Sequence, residues 1–583
     1  MSRSDIGLSK KRQRKNENKK KRPNILVLMV DQQRFPAVYE NEELQKWSEE
    51  NLVTQQLLRK NGMEFLNHYA GSTACSPSRT TLYTGQYPSL HGVSQTTGVA
   101  KESFEPDVFW LDPNTVPTMG DYFRGKGYQT FWKGKWHASD EDVLIPGTHD
   151  GVPSYNKITG VPIKNKKEVY KEANRLDPFG FSGWIGPEPH GTSPRNSGSS
   201  AAIGLSGRDV VYSEETVKLI KSLEKESQDS KVNTPWFAMC SFVNPHDIAL
   251  YGVFTALNPS FSFEVDPTLP LIPPAPTVGE SLLTKPRAQE SYRITYPKAL
   301  QPILDNDFYR HLYYSLQKKA DQEMLKVFNA LKNSIFYKNT IVLFTSDHGE
   351  LLGAHGGLHQ KWYNMYEESI HVPLIIHSHA LFSKSEKTDV LTSHVDILPT
   401  LLGLTGLNEK CLQAKLSKNH TEVKPLVGRN LTPLLEGSEQ FCRVDEPIYF
   451  MTDDDVTKGL NQTTVTGKPY KSVVQPNHIE AVITKLKTGA GNVKEIWKFA
   501  RYFDNPQFSS NSDANEFDET EECPNAPVSD EFELYNLTKD PLEEKNLADP
   551  IFATEETALI QQLLTVILKD QSKQKRLYPT NDE

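Results

Sequence analysis

Short apolar runs that end in polar, chemically capable residues recur along this chain of 583 residues. The first run, Ile25 to Val30, is continuously apolar and is followed by Asp31 and Gln32. Such a run is typical of a strand that is buried on both faces of a parallel sheet. Later segments repeat the pattern, namely Gln129–Trp132 before Lys135 and His137, Trp236–Val243 before His246, and Thr340–Thr345 before Asp347 and His348. We therefore predict a set of strands that deliver polar side chains at their carboxyl ends.

Helical patterns lie between these strands, around Glu214–Glu226 and Phe308–Lys332. The alternation of strand and helix predicts an α/β fold in which a large, mostly parallel sheet lies between helices. Ligands bind at the carboxyl ends of the strands in such sheets, so we expect the polar side chains to converge there. The residues concerned are Asp31, Gln32, Lys135, His137, His246, Asp347 and His348.

A divalent metal site is the first chemistry that this set suggests. Carboxylates, an imidazole and an amide oxygen suit a cation of intermediate hardness, calcium or manganese. Zinc is less suitable, because no cysteine or paired-histidine ligand spacing occurs. Taken singly, Asp31 would also serve as a helix cap, and His137 or His246 as a buried core histidine. The prediction depends on the strand ends meeting.

The segment from Gly71 to Gly85 reads as a loop that runs into a short helix. Pro77 suits the first helical turn and Gly85 suits the end of the helix. Cys75 would then lie at the amino-terminal end, where an anion is favoured, with Arg79 one turn away on the same face. This arrangement suits attack on a tetrahedral oxyanion ester. From the residues alone, a buried structural cysteine and an ordinary reactive thiolate remain alternatives for Cys75.

The run Cys75-Ser76-Pro77-Ser78-Arg79, followed by Thr84-Gly85, resembles the signature of the type I sulfatase family within the alkaline-phosphatase superfamily. Gly134–His137 and Ser346–Gly349 resemble other motifs of that family, and the resemblance spans about residues 23–550. It implies an alkaline-phosphatase-like sandwich with a smaller carboxyl-terminal antiparallel sheet and helix. It also implies arylsulfatase-like hydrolysis of a small-molecule sulfate monoester, after a maturation enzyme has oxidised Cys75 to formylglycine (3-oxoalanine).

The resemblance assigns roles to individual residues. The implied metal ligands are Asp31, Gln32, modified Cys75, Asp347 and His348. The implied catalytic residues are Cys75 as nucleophile, Arg79 and Lys135 beside the charged oxygens, His137 as proton acceptor, and His246 and Lys361 at the ester and its leaving group. Lys361, judged alone, would more often be a solvated surface residue.

Gln32 and His348 stand where many family members have Asp and Asn. In this respect the chain resembles the branch with choline sulfatases and phosphonate monoester or phosphodiester hydrolases. A glutamine lowers the negative charge around the cation and favours a softer metal such as manganese. A phosphonate monoester or phosphodiester is therefore the alternative substrate. An inactive, sulfatase-shaped binding protein is a further alternative, against which the intact set of site residues argues.

Composition bounds the organisation of the chain. Residues 10–22 hold nine Lys or Arg against one Glu, so we expect a disordered basic tail at 1–22. It is a solubilising leader, a nuclear-type signal or a polyanion-binding arm. We expect a catalytic domain at 23–437 and a smaller subdomain at 438–583. Loop-like stretches are predicted at 179–207 and 251–300, and strands at 479–484 and 496–500 precede a helix at 555–569.

Charge and cysteine content indicate the partners and the cellular compartment of the protein. A net charge of −9 gives no sign of a nucleic-acid binder. We expect no secretion signal, because no apolar h-region precedes the first strand, and no stretch reaches the roughly 20 apolar residues of a membrane span. The five scattered cysteines suggest no disulfide framework. We therefore expect a cytoplasmic protein without a membrane or nucleic-acid partner, and the sequence allows a homo-oligomer.

Overall fold

The computed structural model describes residues 22–98, 100–189, 193–200, 206–230, 234–438, 445–488, 493–504 and 527–580. Residues 1–21, nearly all of the predicted basic tail, lie outside this part of the chain. The strands fall into a larger and a smaller sheet. The larger consists of β1 Asn24–Asp31, β2 Gly62–Tyr69, β3 Gln129–Gly134, β4 Trp236–Pro245, β5 Thr340–Ser346, β6 Leu374–His377 and β7 Glu386–Ser393. The smaller consists of β8 Ile448–Thr452, β9 His478–Lys487, β10 Lys494–Phe503 and β11 Glu531–Asn536.

The larger sheet has the strand order β3-β4-β1-β5-β6-β2-β7. Its strand β1 pairs in parallel with β4 and β5, so that Ile25 lies opposite Phe237 and Ile341. Only β6 runs antiparallel to its neighbours, β5 and β2. The four predicted strands are therefore adjacent, and their carboxyl ends lie along one edge of the sheet.

Helices cover both faces of this sheet. Those of six residues or more are α1 Glu42–Asn51, α2 Val53–Lys60, α3 Cys75–Thr84, α4 Met119–Arg124, α5 Lys164–Ala173, α6 Arg208–Ser230, α7 Arg287–Ala299, α8 Asp307–Lys332, α9 Ile397–Leu404, α10 Glu409–Leu416 and α11 Glu555–Lys575. Alternate residues of β1 face opposite layers. Leu26 and Leu28 pack with residues of α6 and α8, whereas Ile25 and Val27 pack with residues of α4 and α9. This arrangement explains why β1 is apolar throughout.

The carboxyl-terminal region forms the small sheet and helix that the sequence predicts. Strands β8 to β11 are antiparallel to their neighbours. Helix α11 packs on them through Ile560, Leu564 and Leu568. The fold is thus the alkaline-phosphatase-like sandwich with a smaller antiparallel sheet, and this prediction is confirmed. The boundary at residue 437 stays a prediction.

The proline-rich stretch 251–300 is only partly loop-like. Its residues Arg287–Ala299 form α7, so the loop prediction is wrong there. Ala288, Tyr292 and Tyr296 recur at helical spacing and are buried against Trp362 and its neighbours. The prolines of the stretch predict a loop, and they outweighed the helical spacing of these three residues in the prediction. In the described part of the chain, no helix has the length and apolarity needed to cross a bilayer.

Candidate active site

The ends of four adjacent strands meet around Asp31. This residue ends β1, and its Oδ2 atom accepts a hydrogen bond from Lys135 Nζ at 2.6 Å. Lys135 directly follows β3, and the pair Asp347 and His348 directly follows β5. Asp31 Oδ1 lies 3.5 Å from His348 Nε2. The predicted convergence of these four residues is therefore observed.

Cys75 enters this cluster from the first turn of α3. The helix ends at Gly85, whose φ of 64° is the left-handed conformation that glycine adopts readily. The Sγ atom of Cys75 lies 3.1 Å from His348 Nε2 and 3.8 Å from Asp31 Oδ1. The side chain that the sequence singled out therefore lies against the strand-end residues.

Arg79 joins the two carboxylates of the cluster. Its Nε atom donates to Asp347 Oδ2 at 2.8 Å, and its Nη2 atom donates to Asp31 Oδ2 at 2.9 Å. All three side chains are fully buried. Burial opposes the charge on the guanidinium, but the two carboxylates keep the pKa of Arg79 well above its usual value. In this structure Arg79 thus neutralises the carboxylates, and its contact with an ester stays a prediction.

The buried thiol of Cys75 is protonated at neutral pH. Burial and the neighbouring charge of Asp31 raise its pKa to about 11, against the opposing charges of Lys361 and Lys135. The helix end alone would have favoured the thiolate. Without a bound cation, an ordinary reactive thiolate at Cys75 is therefore disfavoured.

The cluster fits a divalent cation. One ligand atom from each of Asp31, Cys75, Asp347 and His348 lies within 4.8 Å of all the others. His348 Nδ1 lies 2.9 Å from the carbonyl oxygen of Gly349, so the proton is on Nδ1 and the lone pair of Nε2 faces the cluster. Burial lowers the pKa of His348, which favours this neutral form. Carboxylate oxygens and a neutral imidazole are ligands that manganese and calcium sites use.

Gln32 lies beside the cluster with its amide turned towards the segment that follows β5. Its Nε2 atom donates to Gln360 Oε1 at 2.8 Å and also to Glu350. Its Oε1 atom accepts a hydrogen bond from Lys361 Nζ at 2.8 Å. The structure thus places Gln32 between Lys361 and Glu350, and its role as a metal ligand stays a prediction.

Lys361 is buried, with a relative exposure of 1 %. Besides its bond to Gln32, the ammonium lies 4.6 Å from the ring centroid of Trp362. The solvated alternative for Lys361 is therefore wrong. A buried cation is instead held close to the residues of the metal cluster.

The two predicted catalytic histidines lie at the same edge of the sheet. His137 has a φ of 56°, and its Nε2 atom lies 3.0 Å from Thr97 Oγ1. His246 follows β4, and its Nδ1 atom has no hydrogen-bond partner among the described residues. Burial lowers the pKa of His246, with the charge of Asp31 opposing that effect. His246 is therefore neutral, and one of its ring nitrogens is free for a ligand.

Two acidic residues of the site escaped the sequence analysis. Glu350 lies two residues beyond His348 and fixes the amide of Gln32. Asp454 follows β8, and its carboxylate accepts hydrogen bonds from the backbone of Ala74 and from the indole of Trp362. The proximity of Glu350 to His348 in sequence could have suggested the first. No local signal marks the second.

The geometry agrees with a comparison against known families. The model of the Sulfatase family matches residues 23–407. The chain belongs to the sulfatase family. As a member it is a sulfuric ester hydrolase, which confirms the prediction made from the Cys75 segment.

Individual sulfatases are similar over most of the chain. A sulfatase of Escherichia coli named as uncharacterised is 26 % identical over 403 residues, which cover 67 % of this chain and 69 % of that protein. Choline-sulfatase of Rhizobium meliloti is 25 % identical over 447 residues, or 72 % of each chain. The phosphonate monoester hydrolase structure from Agrobacterium radiobacter superposes with a TM-score of 0.58 at 20 % identity, and the match covers 95 % of this chain and 96 % of that one. The last likeness shows the fold.

Proposed function

We propose that this sulfatase hydrolyses a small, arylsulfatase-like sulfate monoester, with residue 75 as its nucleophile in the formylglycine form. One observation carries the proposal: Cys75 Sγ lies 3.1 Å from the unprotonated nitrogen of His348, within a cluster that suits a divalent cation. A plain thiol there would be protonated, because burial raises its pKa to about 11. Oxidation to an aldehyde replaces that poor nucleophile.

Two groups that the chain would acquire supply part of the chemistry. A divalent cation, manganese or calcium, held by Asp31, Asp347, His348 and residue 75, and in our proposal by Gln32, would polarise the sulfuryl oxygens. Hydrated formylglycine supplies one hydroxyl for attack on sulfur and a second whose deprotonation releases sulfate. The chain therefore depends on a maturation enzyme that oxidises Cys75.

The side chains that surround residue 75 bind the charged ester and accept a proton. Lys135, which is held 2.6 Å from Asp31, presents a buried ammonium to the anionic ester. Arg79 holds the two carboxylates in place beside that ammonium. His137 accepts the proton of the second hydroxyl when sulfate leaves. Lys135 and His137 thus act directly on the reacting oxygens, whereas Arg79 acts through the carboxylates that it holds.

The leaving group would lie on the side of His246 and Lys361. His246 is neutral, so a ring N–H can donate a hydrogen bond to the ester oxygen without carrying charge. The ammonium of Lys361 stabilises negative charge on that oxygen as its bond to sulfur breaks. Its hydrogen bond to Gln32 and its contact with Trp362 hold the ammonium ready.

A phosphonate monoester or phosphodiester is the second candidate substrate. Its support is Gln32, a neutral residue whose side-chain oxygen accepts a hydrogen bond from the buried ammonium of Lys361. This pocket carries less negative charge than one with a third aspartate and would tolerate a phosphorus ester. Turnover of an aryl sulfate, a phosphonate monoester and a phosphodiester with the same leaving group would decide. The highest kcat/KM for the sulfate supports the first proposal, and the highest for a phosphorus ester replaces it.

Mass spectrometry of the peptide around Cys75 tests the nucleophile. Protein produced together with a maturation enzyme should show the thiol replaced by an aldehyde. The variant Cys75→Ala should lose turnover, whereas Cys411→Ala, which changes an exposed free thiol, should keep it. Full sulfatase activity from an unmodified thiol would overturn the proposal. The inactive binding protein would be favoured if modified protein bound sulfate esters without turnover.

We also propose that the protein works in the cytoplasm. The free thiols of Cys75, Cys240 and Cys411 support a reducing compartment. Cell fractionation with an antibody to the chain would test the proposal, and recovery in a secretory fraction would contradict it.

A further inference from the structure

Asp454 lies between the turn that carries Cys75 and the turn that carries Lys361. Its Oδ2 atom accepts hydrogen bonds from the backbone N–H of Ala74 at 3.0 Å and from Trp362 Nε1 at 2.9 Å. Its Oδ1 atom accepts a third from the backbone N–H of Thr96 at 3.0 Å. The residue is buried, with a relative exposure of 4 %. The carboxylate of Asp454 thus accepts hydrogen bonds from three donors that lie within the predicted catalytic domain, residues 23–437.

Two of these donors are next to reactive groups. Ala74 directly precedes the nucleophile and is the N-cap of α3, which receives no hydrogen bond from its own cap side chain. A carboxylate 380 residues away therefore supplies the acceptor and negative charge that a helix start favours. Trp362 directly follows Lys361, and its ring lies 4.6 Å from the Lys361 ammonium. A shift of Asp454 would be transmitted to both sides of the site.

The residues around Asp454 reinforce the same junction. Thr452 donates a hydrogen bond to the carbonyl oxygen of Thr73, and Tyr363 donates one to Asp455 Oδ1 at 2.5 Å. Asp455 Oδ2 is also 3.1 Å from Asn477 Nδ2, which belongs to the carboxyl-terminal region. The segment after β8 therefore contacts both turns, and only the carboxylate of Asp454 contacts both through a single atom.

We propose that Asp454 is a positioning residue that fixes the separation between the nucleophile at residue 75 and the ammonium of Lys361. The inference rests on the proposed function, because that function gives residue 75 and Lys361 their roles. In an ester hydrolase, attack and departure occur on opposite sides of one sulfur atom. The distance between the attacking group and the leaving-group cation is therefore a quantity that the protein must hold constant. A misplacement of about 1 Å can reduce turnover by a factor of about 100.

The variant Asp454→Asn tests this role with almost no change of shape. An amide has one acceptor oxygen, so its NH2 group must face either Thr96 or the pair Ala74 and Trp362, all of which are donors. We expect kcat to fall about 10- to 100-fold with a smaller change in KM, because the ester still binds the unchanged cations. The matched control is Asp453→Asn, whose carboxylate lies 2.8 Å from His478 Nδ1 and contacts neither turn through its side chain. The control should keep the wild-type kcat.

A second variant tests the link through the indole. Trp362→Phe keeps an aromatic ring beside Lys361 but removes the N–H that Asp454 accepts. We expect a milder loss of kcat, and the effects of Asp454→Asn and Trp362→Phe should not be additive, because they break the same contact. If the two substitutions lower kcat independently and additively, the proposed link between the Cys75 turn and the Lys361 turn through Asp454 is wrong. If Asp454→Asn fails to fold, Trp362→Phe alone carries the test, and an unchanged kcat then overturns the proposal.

The outcomes separate this inference from the proposed function. Active wild-type protein, inactive Cys75→Ala and fully active Asp454→Asn would leave the hydrolase intact and reject the positioning role. Inactive wild-type protein would question the function itself. In that case tryptophan fluorescence still tests the contact between Asp454 and Trp362. The difference spectrum between the parent and Trp362→Phe is measured twice, once with Asp454 present and once in the Asp454→Asn background. A difference spectrum that Asp454→Asn leaves unchanged rejects the contact, and a changed one supports it.

Discussion

His348 points its Nε2 atom at Cys75 Sγ across 3.1 Å, while its Nδ1 atom lies 2.9 Å from the carbonyl oxygen of Gly349. A carbonyl oxygen only accepts, so the ring proton is on Nδ1. The lone pair of Nε2 therefore faces the side chain of residue 75. This geometry suits a metal ligand and does not suit a general acid.

Replacement of His348 by alanine should lower metal content. The variant loses one of the four clustered donors, so we expect at least a tenfold weaker affinity for manganese or calcium. Elemental analysis after dialysis against limiting metal would measure this. His371→Gln, a histidine outside the cluster, should retain the wild-type content. Equal metal content in all three proteins would contradict the ligand role.

Replacement of Arg79 by methionine should destabilise the metal-free protein. The change leaves two buried carboxylates with fewer partners, and loss of one member of a buried ion pair costs about 3–5 kcal/mol. Urea unfolding would measure the free energy of unfolding. Added divalent cation should restore part of it, because the cation binds only the folded cluster.

The control for Arg79 is an exposed arginine in a single ion pair. Arg287 is 2.6 Å from Glu531, and its side chain is 49 % exposed. Arg287→Met should cost at most about 1 kcal/mol, and added cation should not reverse the loss. A cation effect of the same size in both variants would refute a metal site between Asp31 and Asp347.

Replacement of Lys361 by methionine should affect poor leaving groups most. The variant keeps a long apolar side chain beside Trp362 but removes the ammonium. We expect kcat/KM to fall about 100-fold for esters whose leaving-group pKa is high, and less for those whose pKa is low. A plot of log kcat/KM against leaving-group pKa should thus become steeper. Lys384→Met, which changes an exposed lysine, should leave the slope as it is, and parallel plots for all proteins would exclude leaving-group assistance by Lys361.

His355 should make stability depend on pH. Burial opposes its charge, but hydrogen bonds to Glu280 and Glu368 raise the pKa of His355 to about 9. The unfolded chain has a histidine pKa of about 6.5. Protonated His355 therefore contributes its full stability below about pH 6.5, and that contribution is lost as the pH rises towards and through 9.

The corresponding variant is His355→Gln. Its deficit in the free energy of unfolding, relative to wild type, should be largest near pH 6 and smaller by up to about 3 kcal/mol near pH 10. Urea unfolding at a series of pH values would measure the deficit. A deficit that stays constant across this range would show that the charge of His355 contributes nothing.

The strand ends were predictable because each carries its own signal. An apolar run followed by Asp31, or by Asp347 and His348, is visible within ten residues, and parallel strands place their carboxyl ends together. Strands such as β2 and β7 lack a comparable run, since each alternates or begins with polar residues. Their pairing is decided by distant segments, so local pattern did not reveal them.

The protonation state and the supports of the site were not predictable in this way. The helix-end position of Cys75 suggested a stabilised thiolate, yet burial reverses that effect and raises its pKa. Burial is a property of the whole fold. The contacts of Gln32 with Lys361 and of Asp454 with Ala74 join residues more than 300 positions apart. No spacing rule reaches that far.

The order of the strands in the sheet also determines when each part of the sheet can form during synthesis of the chain. Ile25 in β1 pairs with Phe237 and Ile341, so β1 lacks both of its partners in the sheet until the ribosome has made β4 and β5. During that interval Asp347 and Asp454, which lie against the Cys75 segment in the folded protein, have not yet been made, so the fold that buries the thiol of Cys75 cannot form. An oxidising enzyme that acts while the chain is being synthesised therefore meets an accessible substrate. An oxidising enzyme that acts after folding must first bring the Cys75 side chain to the surface, because its relative exposure is only 1 %.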